Sequence, residues 1–180
     1  LGDFAAAVQR ERATKVLAIT GSNGKTSVKA LLLSILGRVG GAYANPGNRN
    51  NEIGLPLAVL DAPDDARFAV YEMGAGKPGD IAYLTAIARP DVALVNNIAP
   101  AHLARMGSLL GIADTKAAIY DALADDGVAV VNADDAFAPY FLARAQGRRS
   151  VRFGLEASAE ISARGIDVDN IDLVINYDVP

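Results

Sequence analysis

The residues best suited to chemistry in this chain are Gly21, Ser22, Asn23, Gly24, Lys25, Thr26 and Ser27. They follow an apolar run and open a stretch with helical periodicity. Backbone amides at a helix start can cradle phosphate, and the helix dipole favours an anion there. Glycines allow the close approach this needs. Lys25 would reach the β- and γ-phosphates of a nucleotide, and the Thr26 hydroxyl would ligate Mg²⁺. Gly21 stands three residues before Gly24, where the general phosphate-loop pattern has five. The plainer alternative is a glycine turn that caps a helix beside a solvated lysine.

Other polar residues stand where apolar runs end: Glu72, Asn96, Asn97, Asn132 and Asp134. A carboxylate at Glu72 could hold Mg²⁺ or be a solvated strand-end acid. The Asn132 amide offers a donor and an acceptor to an adenine edge, or it closes an Asx turn. Residues 43–56 hold Asn45, Asn48, Asn50 and Asn51 among glycine and proline, which reads as a loop. That loop is a plain surface connection or a substrate loop rich in amides.

The elements that must position these residues are legible in the apolar pattern. Strands are predicted over 15–20, 67–72, 91–96, 127–132 and 150–154. Helices are predicted over 25–36, 80–88, 111–123 and 135–145. In the helix over 25–36, Val28, Leu31, Leu32, Ile35 and Leu36 recur at helical spacing. Near-continuous apolar strands alternating with helices predict an α/β fold. The expectation is a P-loop-type, mostly parallel sheet with helices on both faces and a short β-rich C-terminal tail. Ligands of such sheets bind at the carboxyl ends of the strands, where the polar residues cluster.

Composition bounds the function. The chain has no cysteine and one histidine, His102, which excludes thiolate chemistry and argues against a multi-histidine metal cage. A net charge of −4 excludes a generally basic nucleic-acid surface. No apolar run reaches membrane-spanning length and no signal-peptide pattern opens the chain. The expected location is the cytoplasm, with no membrane partner.

Residues 20–27, TGSNGKTS, resemble the phosphate loop of the Mur ligases, ATP-dependent amide ligases of peptidoglycan synthesis. Residues 47–56 (GNRNNEIGLP), 72–75 (EMGA), 78–81 (PGDI) and 89–97 (RPDVALVNN) extend the resemblance across about 1–161. It implies ATP and Mg²⁺ as cofactors, and a UDP-muramoyl-tripeptide and D-alanyl-D-alanine as substrates. By resemblance Glu72 binds metal, His102 helps hold a second Mg²⁺, and Lys116 is carbamylated into an anionic metal ligand with a catalytic role beside Lys25. Carbamylation needs a neutral amine, hence a depressed pKa. The resemblance also tips Asn132 toward adenine, and turns Asn48, Asn50 and Asn51 toward the muramoyl-peptide. The chain departs from the family at Ala104 and Ala118, where relatives carry acids.

Residues 163–180, ARGIDVDNIDLVINYDVP, instead resemble a short segment of DEAD-box RNA helicases. The reading is therefore a Mur ligase central domain over 1–161 and a foreign-looking, strand-forming tail over 162–180. The chain begins at Leu1 rather than Met, and the expectation is a fragment without the family's N- and C-terminal domains. Such a fragment would bind nucleotide without ligase turnover. The alternatives are a non-catalytic nucleotide-binding fragment or gene fusion, a folylpolyglutamate-synthase-like ligase, and, on the tail alone, an RNA-binding ATPase.

Overall fold

The computed structural model describes residues 1–100, 103–155 and 159–162, with side chains omitted at 103–104. The elements in chain order are α1 (Gly2–Glu11), β1 (Lys15–Thr20), α2 (Lys25–Leu36), β2 (Ala42–Ala44), α3 (Gly54–Asp61), β3 (Phe68–Glu72) and α4 (Asp80–Ala88). Then come β4 (Val92–Val95), α5 (Leu103–Met106), α6 (Leu109–Asp121), β5 (Val128–Asn132), α7 (Ala138–Arg144), β6 (Arg149–Gly154) and β7 (Ile161–Ser162). The strands form one sheet in the order β2-β3-β1-β4-β5-β6-β7, and every pairing is parallel. The α/β expectation holds.

Helices cover the two faces unequally. The step from β1 to β2 crosses the sheet one way, and the later steps cross it the other way. Right-handed crossovers therefore put α2 on one face and α3, α4, α6 and α7 on the opposite one. The contacts agree: α4 packs on α6 and α3, α1 packs on α3 and α4, and α6 packs on α7, whereas α2 lies on β3, β2 and β1. The main core forms on the crowded face. There Ala18, Tyr71, Ala93 and Val131 of the strands meet Leu55, Ile81, Leu84, Ala117 and Ile119 of the helices. On α2, none of Val28, Leu31, Leu32, Ile35 and Leu36 is fully buried; Lys29 is. The helical spacing was read correctly, but too little protein lies over that stripe to enclose it.

The segment 43–56 is less of a loop than its composition implies. Its start belongs to β2, and its end is the first turn of α3. Asn51 explains the second boundary, because its Oδ1 accepts hydrogen bonds from the Ile53 and Gly54 amides and so opens the helix. Helices α1, α3 and α5 and strands β2 and β7 were not expected from sequence. The anticipated strand in 172–179 lies outside the described residues.

Candidate functional site

After β1 the chain turns to α2 on one face, and after β3 it turns to α4 on the other. The crevice between the carboxyl ends of β1 and β3 is thus a topological switch point, where open α/β sheets bind ligands. Glu72 ends β3, and residues 21–24 leave β1. Gly21 has φ 153°, and a Cβ there would lie 3.0 Å from the Asn96 Cβ, so the turn needs a residue without a side chain. Gly24 takes the left-handed φ of 74° that starts α2.

The strand-end asparagines hold this turn in place. The Ser22 amide donates to the Asn97 carbonyl (2.9 Å), and the Asn23 amide to the Asn97 Oδ1 (2.9 Å). Asn96 Nδ2 donates to the Asn23 carbonyl at 2.8 Å. The Ser22 hydroxyl donates to the Ala99 carbonyl and accepts from the Ala99 amide. This corrects the expectation that the whole turn offers its amides to phosphate. The Ser22 and Asn23 amides are engaged within the protein, because β4 runs beside β1 and delivers Asn97 to them.

Lys25 folds back over the turn, and its Nζ donates to the Gly21 carbonyl at 3.0 Å and the Ser22 carbonyl at 3.3 Å. The Thr26 hydroxyl donates to Glu72 Oε2 at 3.0 Å. Ser27 lies exposed in the first turn of α2.

Glu72 is buried, not solvated. Lys29 Nζ sits 3.1 Å from its Oε2, and Asn50 Nδ2 donates to its Oε1 at 2.9 Å. The Glu72 amide donates to Asn45 Oδ1, while Asn45 Nδ2 donates to the Glu72 carbonyl at 3.1 Å. Lys29 also donates to the Asn45 and Gly47 carbonyls, both at 3.0 Å, and so pins the asparagine loop to α2. Lys29 was not singled out from sequence, and Asn45 counted only as one amide of the loop. A lysine within an apolar helical run reads as solvated, and its partners come from distant segments.

Lys116, on α6, is 4% exposed. Its Nζ donates to the Gly21 carbonyl at 3.0 Å. Burial, reinforced by the nearby Lys25 ammonium, pushes its pKa down to about 8. A lowered pKa is the direction that carbamylation requires. Residues from both loops enclose one cavity of about 430 Å³, lined by Gly21, Ser22, Lys25, Lys116, Asn50 and Asn51 among others.

Other expected residues separate from this cluster. Asn48 is exposed and does not line the cavity. Asn51 lines it, with its Oδ1 turned to the start of α3. Asn132 donates from Nδ2 to the Asn96 carbonyl (2.9 Å) and accepts from the Asp134 amide (3.1 Å), so the geometry favours the Asx turn over an adenine contact. His102 lies outside the described residues. Among the described residues no three acidic or histidine side chains form a metal-binding group, and no helix is long and apolar enough to cross a membrane. Thr26 and Glu72 present hydroxyl and carboxylate oxygen together, a hard donor pair that fits Mg²⁺ with water completing its shell.

The family model of the Mur ligase middle domain matches residues 19–177, which reaches into the segment set apart as a tail. The UDP-N-acetylmuramoyl-tripeptide--D-alanyl-D-alanine ligase of Escherichia coli is 43% identical over 134 residues, covering 74% of this chain and 30% of that enzyme. A crystal structure of MurF from Acinetobacter baumannii superimposes with a TM-score of 0.86 at 34% identity, covering 91% of this chain and 36% of that one. MurF from Thermotoga maritima in complex with ADP gives a TM-score of 0.79 at 35% identity, covering 86% and 36%. The chain thus spans 30 to 37% of the length of the curated relatives it matches.

Proposed function

The chain belongs to the Mur ligase family, as its middle domain, and from that premise we propose that it is the ATP-binding core of an ADP-forming amide ligase of peptidoglycan synthesis. The observation that carries this reading is the convergence of Lys25, Lys116 and the Asn50 loop on one cavity at the switch point of the sheet. In the full reaction the terminal phosphate of ATP passes to a carboxylate of UDP-N-acetylmuramoyl-tripeptide. The amine of D-alanyl-D-alanine attacks the acyl phosphate, an amide bond forms and phosphate leaves.

Each residue group has a task in this scheme. Lys25 leaves the Gly21 and Ser22 carbonyls to meet the β- and γ-phosphates. Amides at the start of α2 take over the role expected of Ser22 and Asn23. Thr26 and Glu72 would hold Mg²⁺, which when bound screens the phosphate charge. Lys29 fixes the Glu72 carboxylate toward Thr26. Lys116, once carbamylated, adds an anionic oxygen ligand to the same chamber, and Asn50 orders the acyl substrate. A UDP-linked precursor and ATP point to the cytoplasm.

We retain 1–161 as the ATP-binding domain and 162–180 as an appended tail. The isolated chain binds Mg·ATP without ligase turnover, since closure by further domains assembles such sites. Titration of the chain with Mg·ATP, with Lys25→Ala as control, tests this reading. Saturable binding that the substitution abolishes supports it. A wild-type chain that binds no nucleotide refutes it, and substrate-dependent ADP release by these 180 residues alone refutes the expectation of no turnover.

A further inference from the structure

The cavity has a second cationic wall that the phosphate chemistry does not use. Lys77 and Arg105 line it together with Gly76 and Asp80. Arg105 comes from α5, and its Nη1 lies 3.7 Å from where a side chain on Gly76 would begin. Lys77 belongs to the turn that opens α4, whose shape is fixed because Asp80 Oδ2 accepts from the Gly76 and Lys77 amides at 2.9 and 3.0 Å. That leaves the Asp80 carboxylate occupied with backbone. Among the described residues, neither the Lys77 ammonium nor the Arg105 guanidinium has a hydrogen bond or ion pair. Lys25, Lys116 and Lys29, by contrast, are all held by carbonyls or by Glu72.

We infer that Lys77 and Arg105 bind a second carboxylate of the acyl donor, one that is not activated, so that the site selects peptides with at least two free carboxylates. This rests on the reading of the cavity as the acyl-phosphate site. The Arg105 fork matches a carboxylate through paired N–H donors, and Lys77 adds a point charge. Anchoring the donor at that wall turns its reacting carboxylate toward Lys25 across the cavity, which is how a remote contact serves the reacting centre.

The test compares two probes by NMR titration of the 180-residue chain in Mg·ATP. One is the free peptide alanyl-D-glutamyl-2,6-diaminopimelate, and the other is its analogue with every carboxylate but the reacting one made an amide. The wild type is expected to bind the free peptide about tenfold more tightly. Arg105→Gln with Lys77→Gln reduces that binding to the level of the analogue and leaves Mg·ATP affinity unchanged. Equal affinity of the wild type for both probes, no peptide binding, or undiminished discrimination in the double variant overturns the inference. Failure of the Mg·ATP arm falls on the nucleotide reading instead.

Discussion

Lys25 and Lys116 share one acceptor: each ammonium donates to the Gly21 carbonyl oxygen at 3.0 Å. Two cations from different helices therefore meet at the residue that begins the phosphate loop. Their mutual repulsion adds to burial in disfavouring the charged form of the deeper one. Lys116 is the deeper of the two, and burial, aided by Lys25, brings its pKa to about 8.

The pH dependence of stability follows from that value. An unfolded lysine titrates near 10.4. Between about pH 8 and 10.4 the unfolded chain binds the extra proton, so stability rises with pH through this window. Below pH 8 the folded state carries the buried charge and the penalty is complete, about 3 kcal/mol for the full span. Urea unfolding of the wild type is expected to gain stability between pH 7.5 and 9.5 relative to Lys116→Met. Parallel profiles for the two proteins would contradict the assignment.

The buried Lys29–Glu72 pair predicts an asymmetric mutational response. Lys29→Met leaves the Glu72 carboxylate, among the described residues, with Thr26 and Asn50 as its side-chain donors, and is expected to cost about 3 kcal/mol. Adding Glu72→Gln removes the uncompensated charge and should restore much of that loss. Chemical denaturation of the single and double variants reads this directly. Additive losses would mean that the two side chains act independently.

Arg89 offers a stabilising change. It caps α4 with φ 51° and ψ 68°, a left-handed conformation, just before Pro90. Glycine adopts this backbone without the Cβ penalty. Arg89 lies at the opposite end of the sheet from the phosphate loop, so Arg89→Gly is expected to add about 1 kcal/mol of stability with no change in nucleotide affinity. Thermal unfolding checks the first part and Mg·ATP titration the second.

Gly21→Ala should do the reverse. The new Cβ would press on Asn96 at 3.0 Å and on the Asn97 amide at 3.3 Å, with φ at 153°. Loss of stability is expected to accompany loss of Mg·ATP binding, because the same asparagines shape the turn. A variant that melts like the wild type and binds Mg·ATP equally well would show that the turn adapts.

The sheet and its helices were legible because their apolar runs are long: 15–20, 25–36 and 80–88 were bounded as the structure has them. So were the polar residues at strand ends, since side-chain type and element boundary coincide there. Strand β2, with three residues, and β7, with two, are too short for periodicity to register. The partners of Glu72 were illegible for another reason. Lys29, Asn45 and Asn50 meet it only through tertiary packing, and an internal helical lysine gives no sign of burial. Arg105 and Lys77 likewise became visible only when α5 and the turn before α4 were seen to line the same cavity.

The helix that follows the phosphate loop encloses no apolar side chain fully. With Lys29 its only fully enclosed residue, and with Leu31 and Ile35 each more than 60% exposed, α2 is held by half-buried apolar side chains together with the Lys29 ion pair, two carbonyls and the Thr26–Glu72 hydrogen bond. Its amides should therefore exchange with solvent sooner than those of α4 or α6. Filling the crevice at its N-terminus would slow them, so occupancy of the site would be reported along the length of that helix.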